Sequence, residues 1–176
     1  TTATVLMLQD GHGAIAHVGN TRAYLLRKGK VFRLTKDHTV AQRQLDAKKI
    51  SAEEYATHPK KKTLYQAIGQ TKSVAVDVSF FKVQIGDLFL LVSDGVSDTL
   101  RGEDLRTIQS NSRNEEEFTE ATLDLAVERE ALDDISCVAI AIVEKKAKKQ
   151  ETEVEVEFFE EGLIDLEEEL LGLDED

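Results

Sequence analysis

Three aspartates stand where apolar segments of this chain meet turns. Asp94 follows the apolar stretch Leu88–Val92, and Asp133 and Asp134 directly precede the apolar residues 135–143. Strand ends can hold acidic oxygens at fixed separation, and hard cations such as Mg²⁺ or Mn²⁺ prefer those oxygens. Aspartate is also common at turns and helix N-caps. The pattern therefore predicts either a divalent-metal site or a set of ordinary capping residues.

The elements that would position these aspartates follow from hydrophobic periodicity. Apolar runs predict strands at 3–8, 14–18, 22–26, 31–34, 74–83, 87–92 and 135–143. Helix-forming residues predict helices at 40–47, 51–57 and 115–130, and residues 51–54 match a capping box. Strands followed by helices that pack on the sheet faces predict an α+β layered fold. Asp10 and Gly11 join the first two strands by a short glycine-containing link, which predicts a hairpin with His12 near its tip.

Several segments resemble, in order, the motifs of the type 2C protein serine/threonine phosphatases, the metal-dependent PPM family. Residues 86–98 (GDLFLLVSDGVSD) are similar to its core aspartate-glycine motif, and 133–136 (DDIS) to its final aspartate strand. Agreement between several blocks is more specific than any single match. The other matching blocks are 16–25 (AHVGNTRAYL), 34–39 (LTKDHT) and 58–69 (HPKKKTLYQAIG), the last two resembling the beginning and end of the family's flap segment.

The resemblance implies a fold, an activity and a set of site residues. The fold would be part of a four-layer αββα sandwich, and the reaction would be hydrolysis of phosphoserine or phosphothreonine by a metal-activated water. Mg²⁺ or Mn²⁺ would be held at Asp94, Gly95 and Asp133, with Asn20 as a weak ligand for a further ion. His38 and His58 bracket the flap-like segment and would border the substrate.

The chain also departs from the family pattern. The family domain begins before the strand that Thr1 opens, so we expect the phosphate-binding arginine and the first acidic ligands to be absent and the activity of this chain alone to be weak. Asn20 stands where the family usually has aspartate, which removes a charge from one metal position. Asp134 stands where asparagine is common. Arg22 is expected to pair with an acidic neighbour, and His17 to be a satisfied strand residue.

Composition bounds the remaining possibilities. The net charge of −12 is concentrated in residues 151–176, which carry 13 acidic and no basic residues, whereas residues 1–150 carry 21 acidic and 22 basic. We therefore expect a domain at 1–145 and an acidic tail at 146–176. A near-neutral body disfavours nucleic-acid binding. No apolar run approaches the roughly 18 residues of a membrane span, and the single cysteine, Cys137, favours a cytoplasmic location.

The tail leaves two functions open. Residues 153–158 alternate acidic and apolar side chains like an edge strand, and residues 163–171 have the apolar spacing of an amphipathic helix, so the tail could bind a protein partner. A disordered acidic linker is the alternative. The chain is thus expected to be a phosphatase acting on phosphoproteins, or a non-catalytic pseudophosphatase that serves as a partner-binding module.

Overall fold

The computed structural model describes residues 1–144, and the predicted tail and the boundary before it lie outside that range. Seven strands and five helices follow one another along the described chain. The strands are β1 (Ala3–Gln9), β2 (His12–Val18), β3 (Arg22–Arg27), β4 (Lys30–Arg33), β5 (Asp77–Lys82), β6 (Leu88–Val92) and β7 (Cys137–Ala141). The helices are α1 (Val40–Asp46), α2 (Ala52–Ala56), α3 (Asp94–Ser97), α4 (Gly102–Asn111) and α5 (Glu115–Glu128).

The strands form two antiparallel sheets. The first sheet has the order β1-β2-β5, and the second sheet has the order β4-β3-β6-β7. The predicted hairpin between β1 and β2 is confirmed, with Gln9 opposite His12. Asp10 and Gly11 have positive φ angles of 47° and 77°, the combination that a two-residue type I′ turn requires.

Alternation along the central strands separates two cores. Ala23 and Leu25 of β3 face the first sheet, where they pack with Ile15, Phe81 and Phe89. Because successive side chains of a strand point to opposite faces, Tyr24 and Leu26 face the other way, into the helix side of the second sheet. The β3–β6 pair is therefore buried on both faces. This explains why β6 reads as an uninterrupted apolar run rather than an alternating one.

Helices α4 and α5 cover the helix side of the second sheet. Leu105 and Ile108 of α4, and Phe118 and Ala126 of α5, are buried against it. Thr122 of α5 is also fully buried, and its hydroxyl donates to the Phe118 carbonyl at 2.7 Å. That internal hydrogen bond lets a polar side chain occupy a core position.

The outer face of the first sheet remains open to solvent. Val5 and Val78 lie in one row across the sheet, through Ala16, and are 58% and 53% exposed. The described chain thus shows the sheet–sheet–helix part of a sandwich, which confirms the expected α+β class and the partial αββα arrangement. Among residues 1–144, none of the helices combines the length and apolar content needed to cross a bilayer.

Several details differ from the sequence prediction, including the short helix α3 (Asp94–Ser97), which was not predicted. The fifth strand begins at Asp77 rather than at residue 74, because the three preceding residues do not pair with β2. Helix α4 was not predicted, since Leu105 and Ile108 are its only buried residues and give a weak apolar stripe. Arg101 and Asp104 nevertheless mark its start, because the Asp104 carboxylate accepts from the Arg101 backbone N–H at 2.8 Å.

Candidate metal centre

Antiparallel pairing of β6 and β7 brings the three predicted aspartates to one end of the second sheet. Val92, the last residue of β6, lies opposite Cys137, the first residue of β7. Just beyond this pair, the Ser93 hydroxyl donates to the Asp134 carbonyl at 2.9 Å and accepts from the Ser136 backbone N–H at 3.0 Å. These bonds tie the turn that carries Asp94 to the turn that carries Asp133.

Gly95 makes this close approach possible. A Cβ atom at position 95 would lie 2.5 Å from the Asp134 carbonyl oxygen and 2.8 Å from that of Asp133. Both distances are below any that real side chains show, so a larger residue would push the two turns apart. The Gly95 carbonyl accepts from the Thr99 hydroxyl at 2.8 Å. Its predicted role in holding a metal stays a prediction, while its role in bringing the turns together is visible.

Asn20 reaches the same end of the sheet from the turn before β3. Its Nδ2 donates to Asp94 Oδ2 at 2.8 Å, so the amide contacts the carboxylate directly. Sequence reasoning placed Asn20 near the site but did not predict this bond. The two residues are 74 positions apart, and no local pattern signals such a contact.

The flap-like segment adds a positive charge beside these aspartates. Lys62 Nζ lies 2.8 Å from Asp98 Oδ2. That hydrogen bond, together with the charges of Asp98, Asp94 and Asp133, raises the pKa of Lys62. The ammonium group therefore stays charged and lies within the field of the acidic cluster. Its side chain is 53% exposed, so solvent screens the interaction.

The donor set suits a hard divalent cation but supplies only part of its coordination. Asp94 and Asp133 offer carboxylate oxygens, and Asn20 offers an amide oxygen, which are the ligand types that Mg²⁺ and Mn²⁺ prefer. Asp133 is exposed and Asp94 is half-buried, so both carboxylates are accessible. Within residues 1–144, no three acidic, histidine or cysteine side chains come together closely enough to hold an ion. Since Mg²⁺ favours about six ligands, other groups must complete the sphere.

His38, which the sequence predicts to border the substrate, is buried and bonded at both ring nitrogens. It is 2% exposed, and its Nδ1 accepts from the Gly19 backbone N–H at 3.2 Å and from the Gln66 amide at 3.1 Å. Its Nε2 lies 3.1 Å from Asp77 Oδ2. A buried ring with both nitrogens engaged favours a structural role, and the predicted substrate contact of His38 stays a prediction.

His58 and His17 differ in how deeply they are buried. His58 is half-buried and its Nδ1 accepts from the Lys60 backbone N–H at 3.1 Å, and its predicted substrate contact stays a prediction. His17 is 1% exposed, with its ring nitrogens 2.8 Å from Thr4 Oγ1 and 3.0 Å from the Lys36 carbonyl. Burial, with a smaller effect from His38, lowers the pKa of His17. The expected satisfied strand histidine is thus confirmed.

A buried ion cluster supports the flap beneath the aspartates. Asp37 accepts from Arg22 Nη2 at 2.8 Å and from Arg33 Nη2 at 2.5 Å. The acidic partner expected for Arg22 is therefore present. Arg22 Nη1 also donates to the Ser97 carbonyl at 3.1 Å, which links the flap to the helix that begins with Asp94. Arg22 thus acts on the packing of the site rather than on a ligand.

Comparison with known proteins finds a matching family model and similar phosphatases. The family model described as Protein phosphatase 2C matches residues 1–53. Protein phosphatase PhpP of Streptococcus pneumoniae is 30% identical over 148 residues, covering 84% of this chain and 60% of the relative. The serine/threonine protein phosphatase PstP of Mycobacterium tuberculosis is 33% identical over 103 residues, covering 58% of this chain and 20% of PstP.

Solved structures agree with the sequence comparison. The S. agalactiae serine/threonine phosphatase superposes with a TM-score of 0.77 at 30% identity, covering 81% of this chain and 59% of that one. The PstP catalytic domain in complex with two manganese ions has a TM-score of 0.71 at 26% identity, covering 81% and 59%. The chain spans about 60% of the length of PhpP, the first relative named above. Sequence and fold therefore show the same similarity, to the type 2C, or PPM, protein serine/threonine phosphatases.

Proposed function

We propose that this chain forms part of a metal-dependent phosphatase that hydrolyses phosphoserine or phosphothreonine in proteins. The observation that carries the proposal is the meeting of Asp94 and Asp133 at one strand end, with Gly95 packed against the Asp133–Asp134 backbone. Two accessible carboxylates carried by adjoining strand ends are suited to holding a hard cation. The names of the relatives supply the reaction class.

The chain's own residues would have separate roles in such a site. Asp94 and Asp133 would hold Mg²⁺ or Mn²⁺, which when bound lowers the pKa of a water and neutralises phosphoryl charge. Lys62 would attract an anionic phosphoprotein to the flap side, because its ammonium projects beside the aspartates. Arg22 would keep the flap and helix α3 in register through Asp37 and the Ser97 carbonyl.

A chimera gives the sharpest test. We expect the 176-residue chain by itself to turn over a phosphothreonine peptide weakly or not at all, because Asp94 and Asp133 supply only part of a coordination sphere. Joining it to the part of the Streptococcus pneumoniae phosphatase that it does not match should restore hydrolysis in Mn²⁺. Asp94→Asn in the chimera should lower kcat by at least about 100-fold, since the loss of a ligand charge weakens metal binding.

The matched control is Asp124→Asn, which makes the same chemical change on an exposed position of α5. That variant should keep the activity of the parent chimera. Hydrolysis that survives chelation, or that Asp94→Asn and Asp124→Asn affect equally, would contradict the proposal.

The second candidate is a non-catalytic pseudophosphatase that holds a protein partner. One observation favours it, namely that the Asn20 amide rather than a further carboxylate faces Asp94. A folded chimera that binds Mn²⁺ but hydrolyses no phosphopeptide would support this candidate. The predicted partner contact through the acidic tail and the cytoplasmic location remain part of this proposal.

A further inference from the structure

Asn20 contacts Asp94 as a hydrogen-bond donor. The bond joins Asn20 Nδ2 to Asp94 Oδ2 at 2.8 Å, so one carboxylate oxygen is already satisfied by a neutral group. A carboxylate at the start of a short helix after a strand would otherwise need water or a cation at that oxygen. The amide thus supplies part of what an ion would supply.

The turn that carries Asn20 is held from both sides. Gly19 donates its N–H to the buried His38 ring at 3.2 Å, and its carbonyl accepts from the His38 N–H at 2.6 Å. On the other side, Thr21 Oγ1 lies 2.6 Å from Thr4 Oγ1. Asn20 is therefore presented to Asp94 by a turn whose flanking residues are both hydrogen-bonded to other segments.

A charged residue at position 20 would change the electrostatics of this corner. Two carboxylates at the same separation repel each other strongly, and the repulsion is relieved only by a proton or a cation between them. The neighbouring positively charged side chains do not bond Asp94. Lys62 bonds Asp98, and Arg22 bonds Asp37 and the Ser97 carbonyl. The charge of residue 20 therefore decides how strongly this corner attracts a divalent ion.

We propose that Asn20 is a positioning residue that holds the Asp94 carboxylate by a neutral hydrogen bond, in place of a divalent cation between residues 20 and 94. This replaces the weak ligand role predicted for Asn20 from the sequence. The corner then keeps its geometry without metal and binds fewer ions than a carboxylate pair would. The inference rests on the metal site of the proposed function, but its test requires no catalysis.

The test is Asn20→Asp in the full 176-residue chain, with Mn²⁺ titrated by calorimetry and Tm measured in chelator and in excess Mn²⁺. We expect Mn²⁺ to bind about tenfold more tightly than to the parent chain, because a ligand charge has been added. In chelator, Tm should fall by roughly 3 °C, and Mn²⁺ should restore it. Asn114→Asp is the matched control, since Asn114 caps α5 away from the aspartates through a side-chain oxygen that aspartate also has.

A second variant separates charge repulsion from damage to the fold. The exchange Asn20→Asp with Asp94→Asn restores one amide and one carboxylate in reversed positions, so Tm in chelator should recover most of the loss. Unchanged Mn²⁺ affinity and unchanged Tm in Asn20→Asp would overturn the inference. So would failure of both variants to fold in chelator and in Mn²⁺, because the exchange removes the repulsion that the inference invokes.

The proposed phosphatase function and the proposed role of Asn20 are tested by different measurements. A chimera without phosphatase activity would remove the proposed function, yet the Mn²⁺ and Tm responses of Asn20→Asp would still decide the role of Asn20. Conversely, an active chimera whose Asn20→Asp variant neither gains Mn²⁺ affinity nor loses stability in chelator would remove only the inference.

Discussion

The two ends of the β3–β6 strand pair each carry a carboxylate, and the two carboxylates differ in burial and in hydrogen-bond partners. At one end, Asp87 is 2% exposed and accepts from Arg27 Nε and Nη2, both at 2.7 Å. The Gln84 backbone N–H adds a third bond at 2.8 Å. At the other end, Asp94 is half-buried, and the bond to its carboxylate from Asn20 is neutral.

This difference separates an acid with a structural role from one that we propose as a metal ligand. A buried carboxylate must have its charge matched and its oxygens bonded, and Arg27 does both for Asp87. Asp94 and the exposed Asp133 keep their charge in an accessible place, with Lys62 bonded to Asp98 rather than to either of them, so a cation can use that charge. An arginine thus neutralises the carboxylate at one end of the strand pair, and the other end stays acidic.

The largest expected effect comes from making the same change at both ends. Asp87→Ala should lower the free energy of unfolding by about 3–5 kcal/mol, because it leaves the buried Arg27 guanidinium without its partner. Asp94→Ala should cost only about 1 kcal/mol, since its oxygens are partly solvated and one amide bond is lost. Urea denaturation followed by circular dichroism measures both. Similar losses at the two ends would show that Asp94 is as structural as Asp87.

A smaller effect is expected from the close approach at the acidic end. Gly95→Ala should cost about 2 kcal/mol, because its Cβ would overlap the Asp133 and Asp134 carbonyl oxygens and force the turns apart. The same substitution at Gly102 is the control, since a Cβ there would meet its nearest atom, on Val31, at 3.8 Å. Thermal unfolding with and without Mn²⁺ would report both. If Gly95→Ala keeps the parent stability and Mn²⁺ response, Gly95 does not hold the turns together.

The smallest expected effect is the pH dependence of the free energy of unfolding that arises from His17. Burial lowers the pKa of His17, so the folded state resists a proton that the unfolded chain accepts near pH 6.5. This contribution to stability is fully present above pH 6.5 and is lost as the pH falls toward the folded pKa. Its slope is at most about 1.4 kcal/mol per pH unit.

Replacing His17 tests that assignment. His17→Gln should flatten the fall in unfolding free energy between pH 7 and pH 5.5 relative to the parent chain. A slope that persists in His17→Gln would assign the proton uptake to another group.

Much of the fold follows from local pattern. Every described strand was predicted, because apolar runs and alternation mark strands that are buried on one or both faces. The Asp10–Gly11 turn and the capping box at Ser51 were predicted from residue types that particular backbone geometries require. Helix α4 was missed, since two buried residues give too little periodicity to distinguish it from a loop.

The candidate site was predictable only in part. Asp94, Asp133 and Asn20 were identified from strand ends and motif resemblance, but the burial of His38 was not predicted, because burial depends on the whole fold. By itself the sequence determined which segments are strands, three of the five described helices, and which carboxylates stand at the strand ends, since those depend on neighbours in the chain. Tertiary structure alone decided that Arg27 would neutralise Asp87 and that Asn20 would bond Asp94. These partners lie 60 and 74 residues apart, and only the register of the sheet selects them from the many donors available.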